Sequence, residues 1–378
     1  MPTSPTDEPP PPPAPPADVA AVAKHACAAC GAQAEWNPAR QALICPHCGT
    51  EGPGELDRAT GQVREIDLLC TLRELPDERR GWQTDRRAVR CRSCDAVSVF
   101  EPGRVGQACE FCGSAELVDY QEIRAPIRPE SVLPFQVAET QVRERFRAWC
   151  ASKWLAPRSF KRRALVDTVR GVYLPYWTFD AQVFCRWSAE AGTYYNTTES
   201  HRGADGRVRT RQVRHVRWRP AGGSLEHFFD DEPVPGSRGV DRRLLRAIEP
   251  FPTDQLVPYD TGYLSGFVVE HYQVVLVAAA QEARRSMEAQ LRQLCIRQIP
   301  GDTYRNLEIR PDFSGQTFKL GLVPLWISTY VYRGKPYQLL ANGHTGRLAG
   351  HYPKSVWKLL ALAAFAAAAI SLIALYVR

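Results

Sequence analysis

The sequence lacks the short motifs that mark most enzyme active sites. It contains no HExxH zinc-protease motif, no GxSxG nucleophile turn, no GxxxxGK[ST] phosphate loop and no GxGxxG after a strand. Its eight histidines are scattered, and no spacing between them forms a metal-binding set. No pair of residues stands out as a general acid and base. The sequence therefore predicts a protein that is not an enzyme.

Other absences concern the class of protein. The N-terminus has neither the basic nor the apolar region of a signal peptide. The mean hydropathy of −0.33 excludes a polytopic membrane protein, and an ordinary charged fraction of 24% excludes global disorder. Twelve cysteines in 378 residues do not make a small secreted disulfide scaffold. A chain of this length is typical of two or three domains.

The first segment is of low complexity. Residues 2–18 are mostly proline with alanine, serine, threonine and acids, so they offer no large apolar side chain to a core. We predict a disordered, proline-rich tail over residues 1–24. Docking to a proline-binding domain is the alternative function for this segment.

Eight of the twelve cysteines form four CxxC pairs. These are Cys27, Cys30, Cys45, Cys48, Cys91, Cys94, Cys109 and Cys112. Fourteen residues separate the two pairs of each set, and the second set lies 64 positions after the first. A CxxC turn directs two thiolates at one metal, and two such turns complete a tetrahedral sulfur site. The repeated spacing indicates a duplicated metal site.

We therefore predict two zinc ribbons, over residues 25–52 and 89–122, that hold two zinc ions in total. Short strands between the CxxC pairs form a hairpin in each ribbon, and the metal supplies much of its folding free energy. An iron-loaded, rubredoxin-like site is the alternative. His47 lies inside a CxxC turn, and we do not expect it to be a ligand because four thiolates already complete the site.

A backbone conformation with positive φ is expected directly after these turns. Gly31, Gly49 and Gly113 follow three of the four CxxC pairs, where a positive φ lets backbone amides face sulfur. Asp95 takes the fourth position and tolerates the same conformation better than most residues. The remaining cysteines fit no metal spacing and are predicted to be free thiols: Cys70, Cys150, Cys185 and Cys295.

Residues 53–88 are predicted to link the ribbons. Leu68, Leu72 and Leu75 have helical spacing, so the linker contains one short helix near residues 65–75.

A larger α+β domain is predicted over residues 126–352, with antiparallel sheets and helices on one face. A helix at 139–155 precedes an aromatic strand at 171–180, which Pro175 breaks or bulges. A helix at 276–299 precedes a strand at 322–330 of similar pattern. The recurrence of helix followed by apolar-Pro-x-Trp favours two repeats, and coincidence of two short strings is the alternative.

A basic strand lies within this domain. Its arginines share one parity and so one face: Arg207, Arg209, Arg211, Arg217 and Arg219. Val213 and Arg214 interrupt the alternation, which predicts a bulge. Residues 141–220 carry a net charge of +11, although the whole chain is only +7. Anionic lipid, nucleic acid or an acidic protein would suit this face, and pairing with the acidic run at 226–232 is the alternative.

The C-terminus is apolar over residues 359–377, with Ser371 as the only conventionally polar side chain. This length predicts a transmembrane helix over residues 356–377 that anchors the protein in a membrane. Lys354 and Lys358 precede the apolar run, so the large N-terminal part is predicted to lie in the cytoplasm.

The chain resembles a bacterial family of zinc-ribbon membrane proteins without assigned function. The resemblance rests on the duplicated CxxC ribbons, on GVYLPYW at 171–177, FFDD at 228–231 and YRGKPY at 332–337, and on Asn342-Gly343 before the C-terminal span. Some family members carry labels taken from primosomal helicases or from ribbons of the transcription-factor-IIB type. The resemblance implies a location at the bacterial inner membrane and adds no activity.

The leading hypothesis is a tail-anchored, non-enzymatic binding or scaffold module that recognises a protein partner. The second is a membrane-tethered nucleic-acid-binding protein that uses the ribbons and the basic strand. The third is electron transfer through iron in the ribbons.

Overall fold

The computed structural model describes residues 26–51 without 28, 63–74 without 64, 87–100 without 95, 108–119 without 110, 127–157, 160, 169–202, 208–332 and 335–376. The strands are β1 (Glu35–Asn37), β2 (Ala42–Ile44), β3 (Ile66–Asp67), β4 (Arg87–Cys91), β5 (Val97–Phe100), β6 (Leu117–Asp119), β7 (Ser131–Val132), β8 (Val169–Arg202), β9 (Val208–Pro235), β10 (Val257–Pro258), β11 (Val268–Glu270), β12 (Thr303–Tyr332), β13 (Lys335–Asn342) and β14 (Leu348–Gly350). The helices are α1 (Leu68–Glu74), α2 (Glu139–Ser152), α3 (Arg242–Ile248), α4 (Leu276–Gln298) and α5 (Val356–Tyr376). The predicted tail, most of the linker and Asp95 lie outside the described residues.

Three long strands form the centre of the larger sheet. β8 pairs antiparallel with β9 on one side and with β12 on the other. The short strands β7 and β11 pair parallel with β12 and β8, so the sheet is mixed rather than purely antiparallel as predicted. β11 also pairs with β5, which joins the strands of the second ribbon to the same sheet. The fold class is α+β, as predicted.

Alternate residues of β8 supply two separate cores, because successive side chains of a strand point to opposite faces. Tyr173 and Trp177 belong to one core, together with the buried faces of α2 and α4. Val172, Leu174 and Tyr176 belong to the other core, together with α3. Helices therefore cover both faces of the sheet, and the prediction of helices on one face is wrong.

The same order of elements occurs twice in the described chain. A short strand, a helix, a long strand and a return strand follow one another as β7–α2–β8–β9 and as β11–α4–β12–β13. Each long strand contributes a buried tryptophan that contacts the other unit. The indole of Trp177 donates to the carbonyl of Val274 (2.8 Å), and that of Trp326 donates to the carbonyl of Val137 (2.9 Å). A duplication would produce such matched contacts, although the duplication itself stays a prediction.

Two local predictions for the long strands are wrong. β8 continues through Pro175 without a break. The carbonyl of Pro175 accepts a hydrogen bond from the backbone N–H of Gly236 (2.8 Å). On that side of β8, the neighbouring strand is β11 before Pro175 and β9 after it. The missing N–H of proline therefore costs no ladder bond there. The pairing of β8 with β9 runs without a shift past Arg214, and its irregularity lies between Phe179 and Ala181 instead.

The C-terminal helix corrects a further prediction. Among the residues that the structure describes, no helix is both long and apolar enough to cross a membrane. This finding contradicts the predicted transmembrane helix at 356–377, the membrane as a partner and the location at the bacterial inner membrane with a cytoplasmic N-terminal part.

Candidate metal centres

The structure gathers all eight predicted ligands into two clusters of four cysteines. The ligand atoms of each cluster lie within 4.8 Å of one another. The closest Sγ pairs are Cys27–Cys48 (3.5 Å) and Cys30–Cys45 (3.4 Å) in the first cluster, and Cys91–Cys112 (3.5 Å) and Cys94–Cys109 (3.6 Å) in the second. In both clusters, the first cysteine thus lies closest to the fourth, and the second lies closest to the third. His47 is exposed and belongs to neither cluster.

The separations between the sulfur atoms fit metal ligation. A disulfide would bring two sulfurs to about 2.05 Å. Two thiolates on one tetrahedral zinc, with Zn–S bonds of about 2.3 Å, lie about 3.8 Å apart. The distances of 3.4–3.6 Å in both clusters are close to the second value. Both cysteine sets are therefore compatible with zinc ribbons, in which zinc would hold the two turns of each ribbon together.

Backbone hydrogen bonds shape the CxxC turns. Gly31, Gly49 and Gly113 each donate to the carbonyl of the cysteine four positions earlier, at 2.8–3.0 Å. Their φ angles of 71–73° lie in the left-handed region, where a Cβ is strained. The predicted positive φ at these glycines is confirmed.

The first ribbon packs on the core that contains α2 and α4. Trp36 of β1 is buried, and its indole donates to the carbonyl of Phe135 (3.3 Å). Its ring meets that of Tyr263 edge-on, with 4.7 Å between the centroids. The hydroxyl of Ser265 donates to the carbonyl of Ala34 (2.6 Å). The first ribbon is therefore attached through its hairpin, whereas Cys30 and Cys48 in its two turns are exposed.

The second ribbon is part of the large sheet. Phe111 lies inside its second CxxC turn and is fully buried in the core that contains α3. The carbonyl of Phe111 accepts hydrogen bonds from the side chains of Thr329 and Gln338. Together with the pairing of β5 and β11, these contacts make the metal turn continuous with the body of the protein.

The two clusters differ in their exposure to solvent. Cys30 and Cys48 are exposed, whereas Cys94 and Cys112 are partly buried. The hydrogen bond between the side chains of Cys48 and Thr50 lowers the pKa of Cys48 to about 6, while burial raises the pKa of Cys112 to about 12. The first cluster is therefore the more accessible to solvent of the two.

A buried ionic cluster lies where β8, β9 and β12 meet. Asp180 accepts from the backbone of Asp231 (2.6 Å) and from the hydroxyl of Thr317 (2.9 Å). The ammonium of Lys319 lies 2.7 Å from Oδ1 of Asp231. Burial raises the pKa of Asp180. Burial would lower the pKa of Lys319, but the hydrogen bond and charge of Asp231 outweigh it and raise that pKa.

The sequence patterns did not predict this ionic cluster. Asp180, Asp230 and Asp231 lie close enough together to suggest a cation site. The ammonium of Lys319 already supplies the positive charge beside them. We therefore assign the cluster a structural role. Its signal in the sequence was a charged residue within each of two apolar strands, at positions 180 and 319.

The basic strand forms one side of a projecting arm. We use this name for residues 193–202 of β8 and 208–217 of β9, which pair with each other beyond the point where β12 begins beside Gly192. At about 3.3 Å per residue, the arm extends roughly 30 Å past the third strand. None of the arm side chains that the structure describes is buried. At its base, the carboxylate of Asp302 accepts from the backbone of Tyr194 (2.8 Å).

The arginines of the arm do not pair with the acidic run at 226–232. Among the described residues, Arg211, Arg214 and Arg217 form no ion pair with a carboxylate. The acidic run lies elsewhere on the sheet, where Asp231 contacts Lys319 and Glu232 accepts from Gln290 (2.8 Å). Internal pairing with this run therefore does not occur at these arginines. Arg207 and the side chain of Arg209 lie outside the described part.

Taken together, the molecule is an α+β protein with a large mixed sheet and two four-cysteine clusters compatible with zinc ribbons. Over 250 residues it is 24% identical to the uncharacterized protein YdjG of Bacillus subtilis (strain 168), a match that covers 66% of this chain and 70% of that protein. No family model matches the chain. No solved structure matches it either. The comparisons thus show one distant bacterial relative, and they do not confirm the family that the sequence resembles.

Proposed function

We propose that the protein is a non-enzymatic binding module, in which two zinc ribbons brace a long sheet and the sheet presents the projecting arm to a partner. The observation that carries the proposal is that both metal clusters are complete four-thiolate sets. A zinc ion with four protein ligands has no open position for water or substrate and is structural. Catalytic zinc sites usually retain such a position.

The ribbons support the sheet in two ways. The first ribbon packs against one core through Trp36, and the second extends the sheet through β5 and buries Phe111 in the other core. Both faces of the sheet are thereby supported near the beginning of β8, around Val172 and Tyr173. The arm is then the long, solvent-exposed extension of a well-braced body, which suits a surface that meets a partner.

The state of the metal can be tested by X-ray absorption on protein purified without added metal. We expect two zinc ions per chain, each with four sulfur ligands at about 2.3 Å. A site with three protein ligands and a water would contradict a purely structural role. Two iron ions in place of zinc would instead support electron transfer.

Binding can be tested by photo-crosslinking in cells. A photoreactive residue replaces Tyr195 on the arm, where 43% of the side chain is exposed. The matched control replaces Tyr304 on β12, which is 40% exposed and lies outside the arm. We expect discrete covalent adducts from position 195 and none from position 304. Equal labelling at both positions, or none at either, would argue against the arm as the binding surface.

A further inference from the structure

The projecting arm has the charge and the shape of a nucleic-acid-binding ribbon. The two strands of the arm, residues 193–202 and 208–217, contain five arginines and one acidic residue, a net charge of +4, whereas the whole chain carries +7. More than half of the net positive charge is thus concentrated in one hairpin. Exposed arginines without carboxylate partners attract a polyanion, because each can exchange condensed counterions for a phosphate contact.

Positive charge lies on both faces of the arm. Arg211 and Arg217 of β9 lie six positions apart and share one face, whereas Arg214 lies on the other. A flat lipid surface can contact only one face of a ribbon at a time. A partner that surrounds the ribbon can contact both.

Aromatic rings hold two of these arginines, Arg214 and Arg217, in place. The guanidinium of Arg214 lies over the ring of Tyr194, 4.6 Å from the centroid, and that of Arg217 lies 5.5 Å from the ring of Tyr195. The imidazole of His215 stacks on Tyr195 at 5.4 Å. Such contacts limit the freedom of long side chains, so less conformational entropy is lost when they bind. The arm is thereby preorganised on both faces.

We propose that the arm binds duplex DNA by entering its major groove. A two-stranded ribbon fits the major groove of B-form DNA, which is about 12 Å wide. The arm is roughly 30 Å long, close to one turn of the duplex. The deep, narrow major groove of A-form RNA excludes side chains, so DNA is the better fit. This proposal rests on the proposed function, namely that the protein is a binding module that presents this arm.

The test uses full-length, zinc-loaded protein and fluorescence anisotropy with a labelled 20-base-pair DNA of mixed sequence. The test variant combines Arg211→Ala, Arg214→Ala and Arg217→Ala. The control variant combines Arg285→Ala, Arg292→Ala and Arg297→Ala, which removes the same charge from exposed positions of α4. Zinc content and circular dichroism verify that both variants are folded.

We expect the wild type to bind the duplex with an affinity that falls steeply with salt. The arm variant should bind at least about tenfold more weakly, and its salt slope should decrease by about three, one for each arginine that no longer neutralises a phosphate. The control variant should retain the wild-type affinity and slope. Equal losses in both variants would overturn the proposal, because they would show attraction to net charge alone.

Three other ligands complete the experiment. Preference for single-stranded DNA or for duplex RNA would overturn groove binding by the arm. Binding to anionic phosphatidylglycerol vesicles without binding to DNA would assign the arm to a lipid surface and would also overturn the proposal. If DNA fails to bind while crosslinks at position 195 persist, the arm remains a binding surface and only its assigned ligand is wrong.

Discussion

A short sequence pattern can predict the backbone conformation of some residues, as it does for Gly31, Gly49 and Gly113. Each follows a CxxC pair, adopts a left-handed φ and donates to a cysteine carbonyl. All the interactions that define such a turn lie within a few residues, so spacing alone predicts it. Lys319 and Asp180 are the opposite case, because their contacts depend on three strands that are far apart in the chain.

Replacement of Lys319 by methionine tests the buried ionic cluster. The substitution keeps most of the side-chain volume and leaves the carboxylate of Asp231 buried without its ammonium partner. We expect the free energy of unfolding to fall by about 3–5 kcal/mol, as for other buried pairs broken on one side. Urea denaturation measures this change. Arg310→Met is the control, because its ion pair with Glu308 is largely exposed (78% and 69%) and should matter little.

Comparison of the wild type with Lys319→Met also tests a pH dependence of stability. The pKa of Lys319 is raised in the folded chain, so its contribution to stability is complete below the unfolded value of about 10.4. That contribution is lost as the pH rises through the higher folded value. The stability difference between wild type and Lys319→Met should therefore stay constant from about pH 7 to 9 and shrink above about pH 10. A difference that shrinks between pH 6 and 8 would be inconsistent with this ion pair.

At the level of elements, β8 and β12 are related by their contacts. They run antiparallel, and each contributes a tryptophan whose indole bonds to a carbonyl just before the helix of the other unit. The sequence pattern predicted these helices and strands, but it underestimated the length of the strands. Their outer halves carry polar residues on both faces, so hydrophobic alternation no longer marks them.

Trp177→Phe and Trp326→Phe test the matched units. Each change removes one indole donor, leaves one buried carbonyl without its partner and opens a small cavity. We expect each variant to lose about 2–3 kcal/mol of unfolding free energy, and the two losses to be similar. Thermal and urea unfolding provide the values. Trp154→Phe serves as control because that side chain is 61% exposed. A large loss at one position and none at the other would contradict equivalent roles.

At the level of the whole molecule, the two four-cysteine clusters occupy unequal positions. The first ribbon is attached to one core through its hairpin, while the second continues the large sheet through β5 and β11. Loss of metal from the first should stay local. Loss of metal from the second should spread into the body of the protein.

Cys30→Ser and Cys94→Ser form a matched pair for this prediction. Both remove the second cysteine of the first CxxC turn in their ribbon, and both should lower the zinc content by one ion per chain. Only Cys94→Ser should reduce the hydrogen-exchange protection of β11, because β5 pairs with it. Elemental analysis and exchange mass spectrometry measure the two effects. Similar loss of protection in both variants would show that the ribbons are equally coupled to the sheet.

Features that depend on local spacing could be predicted from the sequence, whereas features that depend on distant strands could not. The grouping of eight cysteines into two clusters, the α+β class and the buried faces of α2 and α4 could be predicted, because they depend on local spacing. The two-sided core, the projecting arm and the cluster around Lys319 could not, because each depends on which distant strands become neighbours. The apolar composition of residues 359–377 favoured a membrane span that the described helix does not support.

The pairing of β5 with β11 also sets an order of events during synthesis. β5 leaves the ribosome about 170 residues before its partner strand, which corresponds to roughly 10–30 s at 5–20 residues per second. During this interval the second ribbon has all four of its cysteines and none of its neighbouring sheet. A metal ion captured then would keep the exposed edge of β5 in a folded hairpin and limit its chance to pair with other nascent chains. Supply of zinc during translation should therefore determine the yield of native protein more strongly than zinc added afterwards.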